Sequence, residues 1–219
     1  METSKKLVLS YFGGIFFILF LIVISIRIFG YSNKEYNRDL AKLSVKHFSL
    51  NDFSYLKCEG ISNIEVYTSD SSYLRVKSYK IGDTPELDYS YCKDTLCLPS
   101  LKNVAGKSYE IKVYVNLKTF KGFISNESHV SCYNIKLSSL EYHGTRSEFY
   151  FNGDSKLDTL IAKASRCKMY LGDKNLNIQS CQLDFDKSRL WAVAQLKDIQ
   201  GILKNGSIIN SNCKIIDPS

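Results

Sequence analysis

Cysteine, carboxylate, histidine and tyrosine side chains are the groups in this sequence whose types could do chemistry. The seven cysteines include no C-x-x-C pair, so neither a zinc site nor a thioredoxin-like redox pair is predicted. Cys92 and Cys97, which lie close together in a predicted hairpin, are the candidate disulfide pair. Cys167 and Cys181 fall in rows of apolar residues that alternate with polar ones, and they are predicted to be buried. The odd number of cysteines leaves at least one thiol without a partner in its own chain.

Acid–base and metal-binding patterns are weak. His47, His129 and His143 lack metal-ligand spacing. The aspartates of the carboxyl-terminal half lack the Gly-Gly-x-Gly-x-Asp repeat of stacked calcium turns; they include Asp154, Asp158, Asp173, Asp184 and Asp186. No Gly-x-Ser-x-Gly elbow is present. We therefore predict a protein that is not an enzyme and holds no cofactor or metal. The catalytic alternative is a polysaccharide-processing site, which would need carboxylates such as Asp184 and Asp186 on one face.

Tyrosines next to predicted inward-facing residues are the strongest binding candidates. They are Tyr67, Tyr73, Tyr114, Tyr150 and Tyr170. Outward-facing rings could stack on sugars or pack against a protein partner. Aromatic residues also favour strands for purely structural reasons. If the rings do bind a ligand, their chemistry predicts a protein or a polysaccharide. The net charge of +7 is spread along the chain without a Lys/Arg-rich block, so no nucleic-acid partner is expected.

A repeating pattern of apolar residues positions these side chains. Three rows of mostly apolar residues step at a nearly constant spacing: Leu117, Leu137, Leu157, Leu176 and Leu196; Ile124, Gly144, Ala164, Leu183 and Leu203; and Phe151, Leu171, Leu190 and Ile209, with Val130 one residue out of phase. A fixed period of this length is typical of stacked coils that bury their inward side chains against neighbouring coils. The sequence therefore predicts an all-β protein, a β-solenoid of ~20-residue coils.

Strands with period-two alternation precede the coils. Ile64 and Val66, then Leu74 and Val76, alternate with polar residues, and Ile111 begins a third such segment in YEIKVYVN. These strands are predicted to open the sheet system and to cover the first coil, because an exposed coil end would leave an unpaired edge.

The order of these segments resembles a known family. FSYLKCEGISNIEVYTSDSSYLRVKSY, then YEIKVYVNLKTF, then the coils with turns such as Gly144-Thr145-Arg146-Ser147 and Ala164-Ser165-Arg166-Cys167, is similar to the head GIN domain of auto-transporter adhesins. The resemblance covers roughly residues 50–215. It implies a β-solenoid of short strands in the bacterial cell envelope, with no catalytic residues to carry over.

The amino-terminal region predicts a membrane anchor. Residues 7–26 carry no charge, and a helix of that length is about 30 Å long, the thickness of a bilayer's hydrocarbon core. No A-x-A-like site follows, so an uncleaved signal anchor is favoured over a cleaved signal peptide. The expected organisation is a cytoplasmic tail (1–6), a transmembrane anchor (7–29), a linker (30–50) and a GIN-like solenoid domain (51–219).

The predicted function follows from the anchor and the coils. We expect a single-pass membrane protein that contacts the lipid bilayer through residues 7–29. Its solenoid would lie outside the cytoplasm, in the periplasm or at the cell surface, as a non-catalytic, adhesin-like binding or scaffold protein of the cell envelope. The alternative is a periplasm-facing envelope sensor or structural subunit that acts through a membrane-protein partner.

Overall fold

The computed structural model describes residues 2–29, 44–61, 63–78, 87–98 and 109–211. It contains one helix, α1 (Glu2–Phe29), and seventeen strands in the described residues. The strands are β1 (Val45–Ser49), β2 (Tyr55–Glu59), β3 (Ile64–Ser69), β4 (Tyr73–Ser78), β5 (Ser90–Cys92), β6 (Thr95–Leu98), β7 (Tyr109–Asn116), β8 (Gly122–Asn126), β9 (His129–Tyr133), β10 (Lys136–Thr145), β11 (Glu148–Asn152), β12 (Lys156–Ser165), β13 (Lys168–Leu171), β14 (Asn177–Asp186), β15 (Arg189–Ala192), β16 (Gln195–Lys204) and β17 (Ile208–Ser211).

Two sheets make up the β region. Sheet A has the order β1-β4-β7-β3-β9-β11-β13-β15-β17, and sheet B has the order β16-β14-β12-β10-β8-β2-β6-β5. From β8 onward the chain places one strand in sheet B and the next in sheet A, and equivalent strands of successive coils pair in parallel. This is a β-solenoid, as the repeat predicts. The segments LDTLIAKA and LWAVAQLKDI, which resemble helices in composition, form strands.

The amino-terminal strands close one end of the solenoid. Antiparallel pairing joins β1 to β4 and β4 to β7 in sheet A, and joins β5 to β6 in sheet B. The prediction that these strands cover the first coil is confirmed. Val45–Ser49 belongs to the predicted linker 30–50 but forms β1, so the linker overlaps the sheet at its carboxyl end. Residues 30–43 and 99–108 lie outside the described part of the chain.

The core lies between the two sheets, and its residues alternate with outward ones along each strand. In β11 and β12 the inward residues include Phe149, Phe151, Leu157 and Leu160, all with 0% exposed surface. Buried apolar residues of both sheets form one continuous cluster. Burying one such side chain contributes roughly 1.5–3 kcal/mol, so the coils stabilise one another mainly through this shared core.

A left-handed residue followed by a buried hydroxyl or thiol marks one corner of each coil. Glu127, Arg146, Arg166 and Lys187 have φ values of 49°, 48°, 56° and 50°. The residues that follow them are Ser128, Ser147, Cys167 and Ser188, and all four are buried. Their side chains accept backbone N–H groups from the preceding coil, as Ser147 Oγ does from Ser128 at 3.2 Å. The corner therefore satisfies backbone donors that the turn would otherwise leave unpaired.

Helix α1 belongs to a unit of its own, since residues Met1–Lys42 separate from Leu43–Ser219. Its side chains are described from Gly14 to Arg27, and large apolar ones among them are exposed, including Phe16 at 78% and Ile26 at 65%. No helix among the described residues is long and apolar enough to cross a membrane. This finding does not support the predicted transmembrane anchor at residues 7–29.

Candidate binding face

The outer surface of sheet A carries aromatic rings stacked from strand to strand. In its amino-terminal part, Tyr73 stacks on Tyr114 with ring centroids 4.1 Å apart and an interplanar angle of 8°. Tyr114 stacks on Tyr67 at 5.5 Å, and Tyr67 stacks on Tyr133 at 5.4 Å. Four strands thus contribute one ring each to a continuous column.

A second column continues across the later coils. His129 stacks on Tyr150 at 4.6 Å, Tyr150 on Tyr170 at 4.4 Å, and Tyr170 on Trp191 at 4.7 Å, with interplanar angles of 17°, 10° and 5°. We call the eight residues of the two columns the aromatic face: Tyr67, Tyr73, Tyr114, His129, Tyr133, Tyr150, Tyr170 and Trp191. All eight are partly buried.

Strand register explains most of the stacking and the step between the two columns; the contact between His129 and Tyr150 is diagonal, since His129 is paired with Glu148. Tyr67 is paired with Tyr114 on one side and with Tyr133 on the other, so equivalent outward positions lie side by side. Between β9 and β11, however, Tyr150 is paired with Ser131 rather than with Tyr133. Because parallel strands lie about 4.8 Å apart, rings at paired positions stack at nearly the strand spacing.

Charged side chains border the aromatic face. Lys112 Nζ lies 2.8 Å from both a Glu65 oxygen and a Glu110 oxygen. In the second column, Lys168 Nζ donates to Glu148 at 2.8 Å. The same glutamates also accept hydrogen bonds from tyrosine hydroxyls: Tyr67 donates to Glu65 at 2.9 Å, and Tyr150 donates to Glu148 at 3.1 Å. These contacts fix both the phenol groups and the charges in one orientation.

The environment shifts the ionisation of these groups. Partial burial, followed by the hydrogen bond to Glu148, raises the pKa of Tyr150 to about 12. Burial and the contact with Glu65 also raise the pKa of Tyr67. The hydrogen bond from Lys168 lowers the pKa of Glu148. Burial acts to lower the pKa of Lys112, but its bonds to Glu110 and Glu65 outweigh that effect and raise it. Near neutral pH Tyr67 and Tyr150 are therefore neutral phenols beside paired charges.

The stacking limits what the face can bind. Within each column, the faces of the rings contact neighbouring rings, so the surface offers ring edges and hydroxyl groups. A sugar ring stacks on an open aromatic face, which the interior of a column does not provide. Partly buried Tyr and Trp side chains with an Arg beside them are typical of protein interfaces. At the carboxyl-terminal end, the Arg189 guanidinium lies 6.0 Å from the Trp191 ring.

The structure brings together all five tyrosines that were selected from the sequence. Tyr67, Tyr73, Tyr114, Tyr150 and Tyr170 lie on one face of sheet A. Three further members of the face, Tyr133, His129 and Trp191, were not selected. Period-two alternation in HVSCY and RLWA would have placed these three outward as well, because each alternates with a buried residue.

The outer surface of sheet B offers a shallow polar groove of about 470 Å³, lined in part by His143, Lys163, Asp184, Asp186 and Lys204. Asp184 and Asp186 do share this face, as the polysaccharide-processing alternative requires. Both have structural partners: Lys204 Nζ lies 3.6 Å from Asp184, and Asn205 and Ser165 donate to Asp186. The hydrogen bond from Asn205 lowers the pKa of the Asp186 carboxyl group. A paired, ionised carboxylate is poorly suited to general acid catalysis.

The cysteines among the described residues divide into buried and surface thiols. Cys58, Cys132, Cys167 and Cys181 are buried, and burial raises the pKa of Cys181 to about 12. The burial predicted for Cys167 and Cys181 is confirmed. Such thiols are poor nucleophiles, because the thiolate is the reactive form.

The candidate disulfide pair lies in the β5–β6 hairpin. Cys92 and Cys97 are free thiols there, and Cys92 is paired with Thr95 whereas Cys97 is paired with Ser90. The two cysteines are thus diagonal neighbours across the hairpin, and their pairing stays a prediction. No group of His, Cys, Asp and Glu side chains able to hold a metal ion occurs within the described residues.

No protein-family model matches the chain. A curated relative is argininosuccinate synthase from Aedes aegypti, which is 32% identical over an alignment of 115 residues and covers 46% of this chain. The chain spans only 26% of that protein's length.

Solved structures from bacteria are also similar. A "putative adhesin" from Bacteroides fragilis is 12% identical with a TM-score of 0.38, covering 78% of this chain and 97% of that one. A "putative lipid binding protein" from Parabacteroides distasonis has 12% identity and a TM-score of 0.37, with 79% of this chain and 95% of that one covered. A "putative cell adhesion protein" from Clostridium sporogenes has 11% identity and a TM-score of 0.31, with 78% and 99% covered. TM-scores below 0.5 leave the function of this chain open.

Proposed function

We propose that the chain is a non-catalytic, adhesin-like binding or scaffold protein of the bacterial cell envelope, and that the aromatic face is its binding surface. The single observation that carries this proposal is the pair of ring columns on the outer surface of sheet A. A solenoid presents a long, repetitive face, which suits an extended partner. The partner proposed is a protein rather than a polysaccharide, because neighbouring rings occupy the ring faces that a sugar would need.

The location is also a proposal. Residues 7–29 would anchor the chain in the membrane, and the solenoid would lie outside the cytoplasm. The support is the uncharged run at residues 7–26. Such an arrangement would present the aromatic face to partners outside the cytoplasm.

Photo-crosslinking in intact cells tests the binding surface. Tyr170 is replaced by p-azidophenylalanine, which keeps an aromatic ring in the column. The matched control carries the same replacement at Gln182, which is exposed on the outer surface of sheet B. We expect a discrete protein adduct from position 170 and none from position 182, because only the first position lies on the aromatic face.

Two results would count against the proposal. Adducts from position 182 alone would move the binding surface to sheet B. A diffuse, glycosidase-sensitive adduct from position 170 would replace the protein partner with a polysaccharide.

A further inference from the structure

The two ends of the solenoid differ in how their outermost strands are protected. At the amino-terminal end, the outermost strands are β1 and β5, which have five and three residues and pair antiparallel with their neighbours. At the other end, the outermost strands are β16, with ten residues, and β17. No described strand pairs with the outer edge of β16 or β17. Short edge strands resist pairing with other chains, whereas a long open edge invites it.

The open end also exposes apolar side chains. Ile202 and Leu203 on β16 are 56% and 48% exposed, and Ile208 on β17 is 41% exposed. In the preceding coil, the equivalents of Ile202 and Leu203 are Asp184 and Phe185, and Phe185 is fully buried. The last coil thus continues the core pattern at Leu203 but has no described coil beyond it to bury that residue.

We propose that this end is the interface of a two-fold symmetric dimer, in which β16 pairs antiparallel with β16 of a second copy. A head-to-tail contact would set the ten-residue edge of β16 against the three-residue strand β5 and would leave most of β16 unpaired. A two-fold contact pairs β16 with an edge of equal length and closes the assembly at two copies.

The sequence of β16 fits this pairing when the two-fold axis passes through Gly201. In that register Asp198 faces Lys204 of the second copy, which places opposite charges directly across the interface. Gln200 faces Ile202 on the same outer side, and Ile199 faces Leu203 on the core side. The exposed Leu203 would then bury its side chain against the second copy. A slipped register that keeps the same faces together would lose the pairing of Asp198 with Lys204.

The mass of the full-length chain, purified in a mild detergent, tests the proposal by light scattering over a concentration series. We expect the wild-type chain to dimerise and Leu203→Lys to weaken dimerisation roughly tenfold or more, because Leu203 lies on the core side of β16 and a charge there could not be buried against the second copy. The control is Ser138→Lys, which adds the same charge at an exposed position of β10, away from the edge. It should leave the dimer unchanged.

A crosslink maps the geometry. With p-azidophenylalanine at Gln200, irradiation should give a dimer whose adduct lies within residues 200–204 of the second copy. A wild-type chain that stays monomeric, or a dimer that Leu203→Lys leaves intact, would overturn the proposal. Dimerisation that appears only after residues 212–219 are deleted would overturn it as well, because it would show that the chain covers its own edge.

Discussion

At the scale of single residues, Tyr142 and Gly144 show how closely the core is fitted. The Tyr142 ring is fully buried, and its hydroxyl accepts a hydrogen bond from Ser125 Oγ at 2.9 Å. A Cβ atom added at Gly144 would overlap the Tyr142 ring, so this position in the apolar row must be glycine. The repeat in the sequence predicts that Gly144 faces inward. It does not reveal that the missing side chain makes room for a tyrosine two residues earlier.

The corner serines give a residue-scale prediction. Ser147 Oγ accepts the Ser128 backbone N–H at 3.2 Å and donates to the Thr145 carbonyl at 2.8 Å. Ser147→Ala leaves a buried N–H without its partner, and we expect it to lower the free energy of unfolding by about 1–3 kcal/mol in urea denaturation. Ser138→Ala, at an exposed position, is the control and should change it little.

Cys167 occupies the same corner position in the next coil and provides the contrast. Its Sγ accepts the Ser147 N–H at 3.4 Å and donates to the Ser165 carbonyl at 3.3 Å. A serine can make both bonds, so Cys167→Ser should change stability by less than about 1 kcal/mol. If Cys167→Ser is as destabilising as Ser147→Ala, the corner position does not act through these hydrogen bonds.

At the scale of strands, the sequence predicts the coils but not their register. The predicted rows match Ile124 with Gly144 and Leu171 with Leu190, whereas the structure pairs Ile124 with His143 and Leu171 with Ala192. The cause is unequal coil length. Four successive strands of sheet A begin at His129, Glu148, Lys168 and Arg189, and each of these residues is paired with the next. The number of residues from one to the next increases along this series. Corners absorb single residues without disturbing the strands, so a fixed period drifts out of register.

The repeat in the sequence predicts only part of the aromatic face. Tyr150 and Tyr170 hold paired positions in consecutive coils, and the spacing between them matches the repeat, so the repeat places them side by side. Tyr67 pairs with Tyr114 and Tyr133, which are far away in the chain. That juxtaposition depends on strand β7 inserting between β4 and β3, which local patterns do not encode.

Tyrosine ionisation tests the ring columns. The pKa of Tyr150 is raised from 10.0 to about 12 in the folded chain. The unfolded chain therefore loses this proton first, and the corresponding contribution to stability is present below about pH 10 and is lost as the pH rises toward 12. An ultraviolet titration of the folded protein should show late-ionising tyrosines, and Tyr150→Phe should remove one of them.

Stability measured against pH provides the second readout. Tyr150→Phe should lose less stability than the wild-type chain between about pH 10 and pH 12, because phenylalanine does not ionise. If all tyrosines of the folded chain ionise at the ordinary value, the phenol–carboxylate contacts described for the face do not hold in solution.

At the scale of the whole molecule, the proposed function makes the solenoid a scaffold for an exposed binding surface. Its amino-terminal end is closed by short antiparallel strands, and the aromatic face extends along sheet A from Tyr73 to Trp191. The proposed function requires that face to meet partners outside the cytoplasm. Composition and repeats predict the scaffold; they carry no signal for the identity of the partner, because recognition depends on side chains that strand pairing brings together.

The most direct test of the proposed function is protease accessibility of an epitope fused at the carboxyl terminus, in intact cells and after stepwise permeabilisation of the envelope. We predict cleavage in intact cells, with the solenoid at the cell surface. Protection until an outer barrier is opened would favour the periplasm-facing sensor or structural subunit instead. Protection that persists until the cytoplasmic membrane is breached would contradict the proposed function, because the aromatic face would then lie inside the cytoplasm.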